Sequence, residues 1–170
     1  MTTPEGSARV LPQVAPGRDT FDALVIRTDF GDDESWQAVL GELRLPWGPD
    51  GEFPARVCVV DEPAWSGAAA DEVLAAVDDD DYLSVVFLAD RHTTESPVRA
   101  LLALSTIWED ESGLDPVYYQ ELLDAPEPRE FRTVPGQVHA VHVNVTLGTM
   151  GFGEFAAAAS KEPDQVLRPF

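Results

Sequence analysis

Residues 83–89 read LSVVFLA, and this nearly uninterrupted apolar run decides the fold class. A half-exposed strand alternates apolar and polar side chains, whereas a strand in the middle of a parallel sheet is apolar on both faces. Helices must then cover both faces of that sheet. The run therefore predicts a three-layer α/β domain with a mostly parallel sheet and helices on both faces.

Strands and helices alternate on the N-terminal side of this run. Residues 23–26 form a compact apolar run, and residues 56–60 predict a second strand. Between them, an apolar residue recurs every three or four positions from Trp36 to Leu43, which predicts an amphipathic helix. Residues 71–77 predict a second, shorter helix. This order of elements is typical of parallel strands joined by helical crossovers.

The C-terminal half continues the pattern less regularly. Residues 98–104 and 130–134 predict a fourth and a fifth strand. The irregular, acidic stretch from Thr106 to Pro128 predicts an insertion after the fourth strand. A final amphipathic helix is expected over residues 152–159, and residues 161–170 are expected to form a short tail.

Residues 138–147 fit two patterns. Strict alternation and β-branched side chains favour a strand. The spacing of Val138, Val141 and Val145 after Pro135 fits a helix. Both alternatives stay open at the level of the sequence.

Length and composition indicate a single folded domain. The chain has 170 residues, of which 44% are hydrophobic, so a sizeable core can form. Residues 1–20 combine proline and glycine with isolated apolar residues, which is typical of a flexible N-terminal segment. We therefore expect one α/β domain over residues 21–170.

The charge limits the partners that the protein can bind. The formal net charge is −20, with 31 acidic against 11 basic residues. Duplex nucleic acid and anionic membranes are bound through clustered basic side chains, so neither is expected as a partner. The single cysteine, Cys58, excludes an intrachain disulfide. With no apolar stretch of about 20 residues, we expect a cytoplasmic protein. The sequence alone assigns no oligomeric state.

Several short phrases resemble those of a known family. They are VIRTDF at residues 25–30, FLADR at 87–91, FR at 131–132 and MGF at 150–152. Together they are similar to an uncharacterised family of small actinobacterial proteins, a domain of unknown function. The resemblance covers roughly residues 24–170. It implies a single cytoplasmic α/β domain and no known activity, so it assigns no catalytic or binding residue.

Three aspartates follow predicted strands. Asp29, Asp61 and Asp90 would share one edge of the sheet if their strands are parallel, and ligands of open α/β sheets bind at that edge. Carboxylate oxygens are the ligands that Mg²⁺ prefers, and Asp32 and Asp33 lie nearby in sequence. This pattern predicts a Mg²⁺-dependent, phosphate-handling enzyme. The alternative is structural, because an aspartate after a strand commonly caps a helix or begins a turn.

Arginines and histidines near these positions have two interpretations each. Arg27, Arg91 and Arg132 either pair with the strand-end carboxylates, the interpretation that we favour, or bind an anionic ligand. His139 and His142 are spaced for one helix face, but no further histidine or cysteine nearby completes a zinc site. Cys58 lies in an apolar strand and is expected to be a small buried hydrophobe.

The acidic surface suggests a different function. Acidic charge steers a basic protein towards the surface, and aromatic residues anchor it. The residues expected to do so are Asp78, Asp79, Asp80, Asp81, Trp108, Glu109, Asp110, Glu111, Tyr118 and Tyr119. The leading hypothesis is a non-enzymatic module without a cofactor, either an immunity-type inhibitor or an accessory subunit of a basic partner. The alternative interpretation of these runs is solvated loops that keep the protein soluble.

Overall fold

The computed structural model describes residues 18–77, 83–106 and 128–168. The strands in these ranges are β1 (Ala23–Arg27), β2 (Val57–Val60), β3 (Val85–Ala89), β4 (Leu101–Ser105), β5 (Glu130–Thr133) and β6 (Val166–Leu167). The helices are α1 (Asp33–Leu43), α2 (Ala70–Ala76), α3 (Arg91–Glu95), α4 (Val138–Leu147) and α5 (Phe152–Ser160). Single 3₁₀ turns occupy Pro63–Trp65 and Pro135–Gln137.

The strands form one sheet in the order β2-β1-β3-β4-β5-β6. β1 is parallel to both of its neighbours, and Val25 lies opposite Val59 on one side and Phe87 on the other. β4 runs antiparallel to β3 and β5, while β6 is parallel to β5. The prediction of a mostly parallel sheet is confirmed, with β4 as the reversed strand. The chain can reverse there because only residues 90–100 join β3 to β4, which is shorter than most parallel crossovers.

Helices cover both faces of the sheet, as predicted. Alternate residues of each strand point to opposite faces, so two separate cores form. One face packs against α1, α4 and α5, and its core includes Val25, Phe87 and Phe131. The other face packs against α2 and the 3₁₀ turn at Pro63–Trp65, and its core includes Ile26 and Leu88. All five residues of β3 are buried, which explains why its sequence lacks polar alternation.

The first predicted helix is confirmed. Trp36, Val39, Leu40 and Leu43 are its buried residues. The helix begins after Asp32, whose carboxylate accepts a hydrogen bond from the Ser35 amide at 3.0 Å. Such a cap satisfies one of the amides that have no partner in the first turn.

Residues 138–147 form a helix, which resolves the two alternatives left by their sequence. The 3₁₀ turn that begins at Pro135 leads into it, and Val138 and Val141 are buried against the sheet. The helix ends at Gly148, whose φ of 76° lies in the left-handed region that favours glycine. Burial of the valines on one face outweighs the small intrinsic preference of β-branched residues for strands.

The prediction of a tail after the last helix is wrong. Val166 and Leu167 are buried and add β6 to the sheet beside β5. Two residues are too few to show a period of alternation, so the strand left no signal in the sequence. The insertion predicted between Thr106 and Pro128 and most of the N-terminal segment lie outside the described residues. None of the helices in the described part of the chain combines the length and apolar character that a membrane span needs.

Candidate functional site

The aspartates that follow strands lie at one edge of the sheet. β2, β1 and β3 are adjacent and parallel, so Asp61, Asp29 and Asp90 all lie where these strands end. We call this the carboxyl edge. This topology is the one that the Mg²⁺ hypothesis requires. Whether the carboxylates could bind a metal ion therefore depends on which partners each of them already has.

A buried arginine forms an ion pair with the carboxylate of Asp61. The side chain of Arg27 is only 6% exposed, and its guanidinium contacts Asp33 Oδ1 at 2.5 Å and Asp61 Oδ1 at 3.2 Å. Its Nε donates to the backbone oxygen of Asp29 at 3.1 Å. The remaining oxygen of Asp61 accepts from Trp36 Nε1 at 3.0 Å. These contacts occupy Asp61 with structural partners.

A second arginine forms an ion pair with Asp90. The two guanidinium nitrogens of Arg132 donate to the two oxygens of Asp90 at 2.7 and 2.9 Å. The amide of Thr93 donates to Asp90 Oδ1 at 3.1 Å, so Asp90 also caps α3. Partial burial raises the pKa of Asp90, but the hydrogen bonds and charge of Arg132 outweigh it and hold the pKa below the usual 3.8.

Asp29 is used in a turn. Its Oδ1 accepts from the Gly31 amide at 3.1 Å, and its Oδ2 accepts from the hydroxyl of Thr94 at 2.6 Å. The structural alternative considered for strand-end aspartates, a cap or a turn, therefore describes Asp29 and Asp90.

The three carboxylates share an edge but do not form one ligand set. Each has a different group of donors, and in residues 18–77, 83–106 and 128–168 no three acidic, histidine or cysteine side chains are grouped so that they could hold a metal ion. The arginines are also accounted for, because Arg91 pairs with Glu95 at 3.0 Å on the surface while Arg27 and Arg132 pair at the edge. The strand-end carboxylates are thus satisfied by ion pairs and hydrogen bonds within the described part of the chain.

His139 and His142 are buried and bind the backbone. The Nε2 atom of His139 lies 2.8 Å from the Leu43 oxygen, and that of His142 lies 2.8 Å from the Thr20 oxygen. Burial lowers the pKa of His142 below 6.5, and its Nδ1 is buried without a hydrogen-bond partner. Both side chains therefore hold chain segments to α4, with His142 in its neutral form.

Cys58 has the environment of a structural thiol. It lies half-buried in β2 and packs against the core on the α2 side. Burial raises the pKa of the Cys58 thiol, which leaves it protonated and weakly nucleophilic at neutral pH.

The residues predicted to bind a partner lie outside the described part of the chain. This holds for Asp78, Asp79, Asp80, Asp81, Trp108, Glu109, Asp110, Glu111, Tyr118 and Tyr119. Their role stays a prediction.

A charged pocket of about 400 Å³ lies beside the last strands. Arg132, Asp164 and His92 contribute to its lining. Arg132 is committed to Asp90 and Arg168 pairs with Asp164 at 2.5 Å, which holds the pKa of Asp164 at about 2. The charges of Arg132 and Asp164 are thus neutralised by partners in the same chain, which leaves them no unpaired charge to offer a ligand.

An apolar groove lies at the opposite end of the sheet. It has a volume of about 490 Å³ and is found where β1 and β2 begin, beside α4. We call it the amino-edge groove. Its lining residues are Phe21, Trp47, Phe53, Pro54, Arg56, His139, Val143 and Leu147.

The groove gathers most of the exposed apolar side chains. Among the described residues, the large hydrophobic side chains that are exposed are Phe21, Leu45, Phe53 and Leu147, and all but Leu45 line the groove. Scattered exposed hydrophobic residues are ordinary, but a cluster around a concave surface indicates an interaction site. The guanidinium of Arg56 is paired with Asp19 and Asp22, each at 3.1 Å.

One wall of the groove is a tight turn between α1 and β2. Trp47 and Phe53 exchange two backbone hydrogen bonds of 2.9 and 3.0 Å, and their rings lie 4.8 Å apart. Gly48 has a φ of 96°, and a Cβ atom there would lie 2.6 Å from the Phe53 ring. A glycine is therefore required for the aromatic pair to take this arrangement.

Sequence patterns did not identify this groove. Its walls come from three separate segments, the start of β1, the turn before β2 and one face of α4, and only the fold brings them together. The signal that was present is PWGPDGEFP at residues 46–54, where two large aromatic residues stand in a proline- and glycine-rich stretch. Loops often carry binding residues, so exposed aromatic residues in a surface turn indicate a candidate contact site.

Comparison with known proteins gives a family and no activity. A family model described as a domain of unknown function matches residues 22–170, which is most of the chain. No curated protein matches the chain.

Proposed function

Because the chain belongs to the DUF6924 family, a domain of unknown function, we propose its function from its own geometry: it is a non-enzymatic module that binds a basic partner protein. The observation that carries this proposal is the amino-edge groove, an exposed apolar site on a chain whose net charge is −20. Interfaces commonly combine such an apolar anchor with a charged surround.

The charge defines the chemistry of the partner. A surface with a strong negative field accelerates the encounter with a positively charged protein and repels acidic ones. The acidic runs predicted to take part, Asp78–Asp81 and Glu109–Glu111, add to that field. An immunity-type inhibitor and an accessory subunit both fit this description. The actinobacterial origin and cytoplasmic location expected from the sequence stay predictions that accompany this proposal.

The carboxyl edge supports this choice over the Mg²⁺-dependent enzyme. Asp61 and Asp90 are paired with arginines and Asp29 is used in a turn, so a phosphate-handling site there would require several ion pairs to be broken. The shared edge is the topology that this alternative needs, but the partners of its three carboxylates count against it.

The test is a low-salt pull-down from a native lysate with mass spectrometry, followed by affinity measurements with matched variants. Leu147 and Leu45 form the control pair, because they are 57% and 59% exposed but only Leu147 lines the groove. We expect Leu147→Ala to weaken the captured partner's affinity about fivefold or more, as loss of an apolar anchor does, and Leu45→Ala to leave it unchanged.

A second arm of the test addresses charge. Replacing Asp78–Asp81 by serine is expected to weaken the association and to reduce its dependence on salt. The proposal is overturned if the captured proteins are not basic, or if the two leucine variants weaken binding equally.

A further inference from the structure

In the described part of the chain, β2 is an outer strand of the sheet, and one of its two edges has no neighbouring strand. On the other edge, the amide of Ala23 donates to the Arg56 oxygen at 3.0 Å, and Ala23 is in register with Val57. The backbone groups of successive strand residues point alternately to the two sides of the strand. The amides and carbonyl oxygens of Val57 and Val59 therefore point away from β1, where no described strand binds them.

The free edge of β2 lacks the features that normally prevent edge-to-edge pairing. Proteins protect outer strands by keeping them very short or by placing charged residues, proline or a bulge in them. The opposite outer strand, β6, has only two residues. β2 has four, Val57–Val60, and all of them are valine or cysteine and half-buried. An apolar strand with unpaired backbone groups along its edge is a template for a further strand.

The order of residues along β2 makes the strand complementary to itself. Two copies related by a twofold axis that passes by Cys58, perpendicular to the sheet, would run antiparallel and present the same surface to each other. Val57 of each copy would then lie opposite Val59 of the other. Because these residues have the outward-facing backbone groups, they would exchange hydrogen bonds as an antiparallel pair does. The two Cys58 residues would lie opposite each other at the axis.

Charged residues at the two ends of β2 favour the same pairing. Arg56 of one copy would lie opposite Val60 of the other, with Glu62 next along the same face. Such diagonal neighbours are about 7–8 Å apart, a distance that a long side chain spans. Glu62 is exposed and its backbone is extended. Within the described chain Arg56 binds Asp19 through Nη2 and Asp22 through Nε, which leaves its Nη1 for an acceptor on the second copy.

We propose that the protein forms a dimer in which β2 pairs antiparallel with β2 of a second copy, so that one sheet continues through both molecules. Each copy has a net charge of −20, so the two copies repel each other at long range. Salt screens this repulsion but not the backbone hydrogen bonds and apolar contacts of the paired strands. The dimer therefore becomes tighter as salt is added, whereas binding of a basic partner becomes weaker. The dimer does not rest on the proposed function.

Analytical ultracentrifugation of the unaltered full chain tests whether the dimer exists. We expect the dimer fraction to rise with protein concentration. The dissociation constant should fall about threefold or more when sodium chloride is raised from about 0.01 M to about 1 M, because the Debye length shortens from about 30 Å to about 3 Å. A chain that stays monomeric up to about 1 mM at high salt would overturn the proposal.

Cys58, the only cysteine of the chain, reports the register of the paired strands. Opposed residues of a non-hydrogen-bonded antiparallel pair have Cα atoms about 4.5 Å apart, and a disulfide needs about 4.4–6.8 Å. We therefore expect a disulfide-linked dimer when copper(II) phenanthroline is added as the oxidant. The reaction is run at mildly alkaline pH, because burial raises the pKa of the Cys58 thiol.

The matched control is Cys58→Ser combined with Val60→Cys, which moves the thiol two residues along the same half-buried face of β2. In the proposed register the two copies of position 60 are about 13 Å apart along the strands, so no disulfide should form. A second control is Leu45→Cys in the Cys58→Ser chain. It places an exposed thiol outside β2, and it should also give no linked dimer. Circular dichroism shows whether each variant is folded.

Two cross-linking results would also overturn the proposal. The first is a dimer whose Cys58 thiols give no disulfide, which would place the contact between copies elsewhere. The second is a linked dimer of either folded control in the same yield as the unaltered chain, which would show that random collisions produce it. The pull-down is a separate measurement: a monomeric chain would leave the binding of a basic partner in place, and a failed pull-down would leave the dimer in place.

Discussion

The two ends of the sheet differ in how their polar and apolar groups are satisfied. At the carboxyl edge, the acidic residues that suggest chemistry in the sequence are matched by arginines, amides and hydroxyls of the same chain. At the amino edge, apolar side chains that belong to no catalytic or metal-binding motif stand exposed around a groove. The difference teaches that exposed apolar surface, or polar groups without a partner in the chain, indicates where a protein interacts. The chemical type of a residue alone does not.

The largest expected effect is the loss of stability on breaking the carboxyl edge. We expect Arg27→Met to lower the free energy of unfolding by about 2–3 kcal/mol, because it removes charged hydrogen bonds from a buried guanidinium. The exposed carboxylate of Asp33 can regain water, which limits the loss. Urea unfolding at pH 7 measures the change.

Arg91→Met is the matched control for this prediction. Arg91 also pairs with a carboxylate, Glu95 at 3.0 Å, but its side chain is 84% exposed. An exposed pair of this kind contributes little, so the change should stay within about 0.5 kcal/mol. Equal losses in the two variants would show that the Arg27 contacts do not form a structural network.

The second expected effect concerns the Asp90–Arg132 pair. We expect Asp90→Asn to lower the free energy of unfolding by about 1.5 kcal/mol at pH 7 while preserving the cap of α3, because asparagine also caps helices well. Each single variant already removes the interaction between the two side chains. The double variant with Arg132→Met should therefore lose less free energy of unfolding than the two single losses added together.

The pH dependence of this pair follows from its pKa. The folded pKa of Asp90 lies below the unfolded value of 3.8, so its contribution is fully present above pH 3.8 and is lost as the pH falls through the folded pKa. The difference in stability between the unaltered chain and Asp90→Asn should therefore shrink in strong acid. A difference that does not shrink as the pH falls below 3.8 would contradict the ion pair as its source.

Much of the fold was predictable because burial leaves a periodic signal. The uninterrupted run of β3 and the spacing from Trp36 to Leu43 each report which faces are covered. The short β6 and the choice of helix for residues 138–147 depend on pairing and packing with distant segments, which local patterns do not contain.

The candidate site was predictable only in part, for the same reason. That Asp29, Asp61 and Asp90 share an edge follows from parallel strands, which the sequence indicates. That Arg132 crosses the width of β4 to reach Asp90 is a fact of tertiary structure. The amino-edge groove likewise combines segments more than 90 residues apart, such as Phe53 and Leu147.

The smallest expected effect is a loss of stability at the amino edge, caused by His142, that appears only when the pH is lowered. Burial lowers the folded pKa of His142 below its unfolded value of 6.5 and outweighs the hydrogen bond to Thr20 and the charge of Asp22, which both raise it. The stability that the neutral ring contributes is therefore complete above pH 6.5 and declines as the pH falls through the folded pKa. The physical reason is that a proton on the buried Nδ1 finds no acceptor, while Nε2 keeps its bond to Thr20.

Urea unfolding at pH 7.5, 6.5 and 5.5 tests this, with His142→Gln and His92→Gln compared. His142→Gln should flatten the dependence on pH, whereas His92→Gln should preserve it because His92 is exposed. Arg18, Asp22 and His139, which face the ring, are present in both variants, so they do not account for a difference. An unaltered slope in His142→Gln would mean that the segment at Thr20, which leads to the groove, is held by contacts other than this histidine.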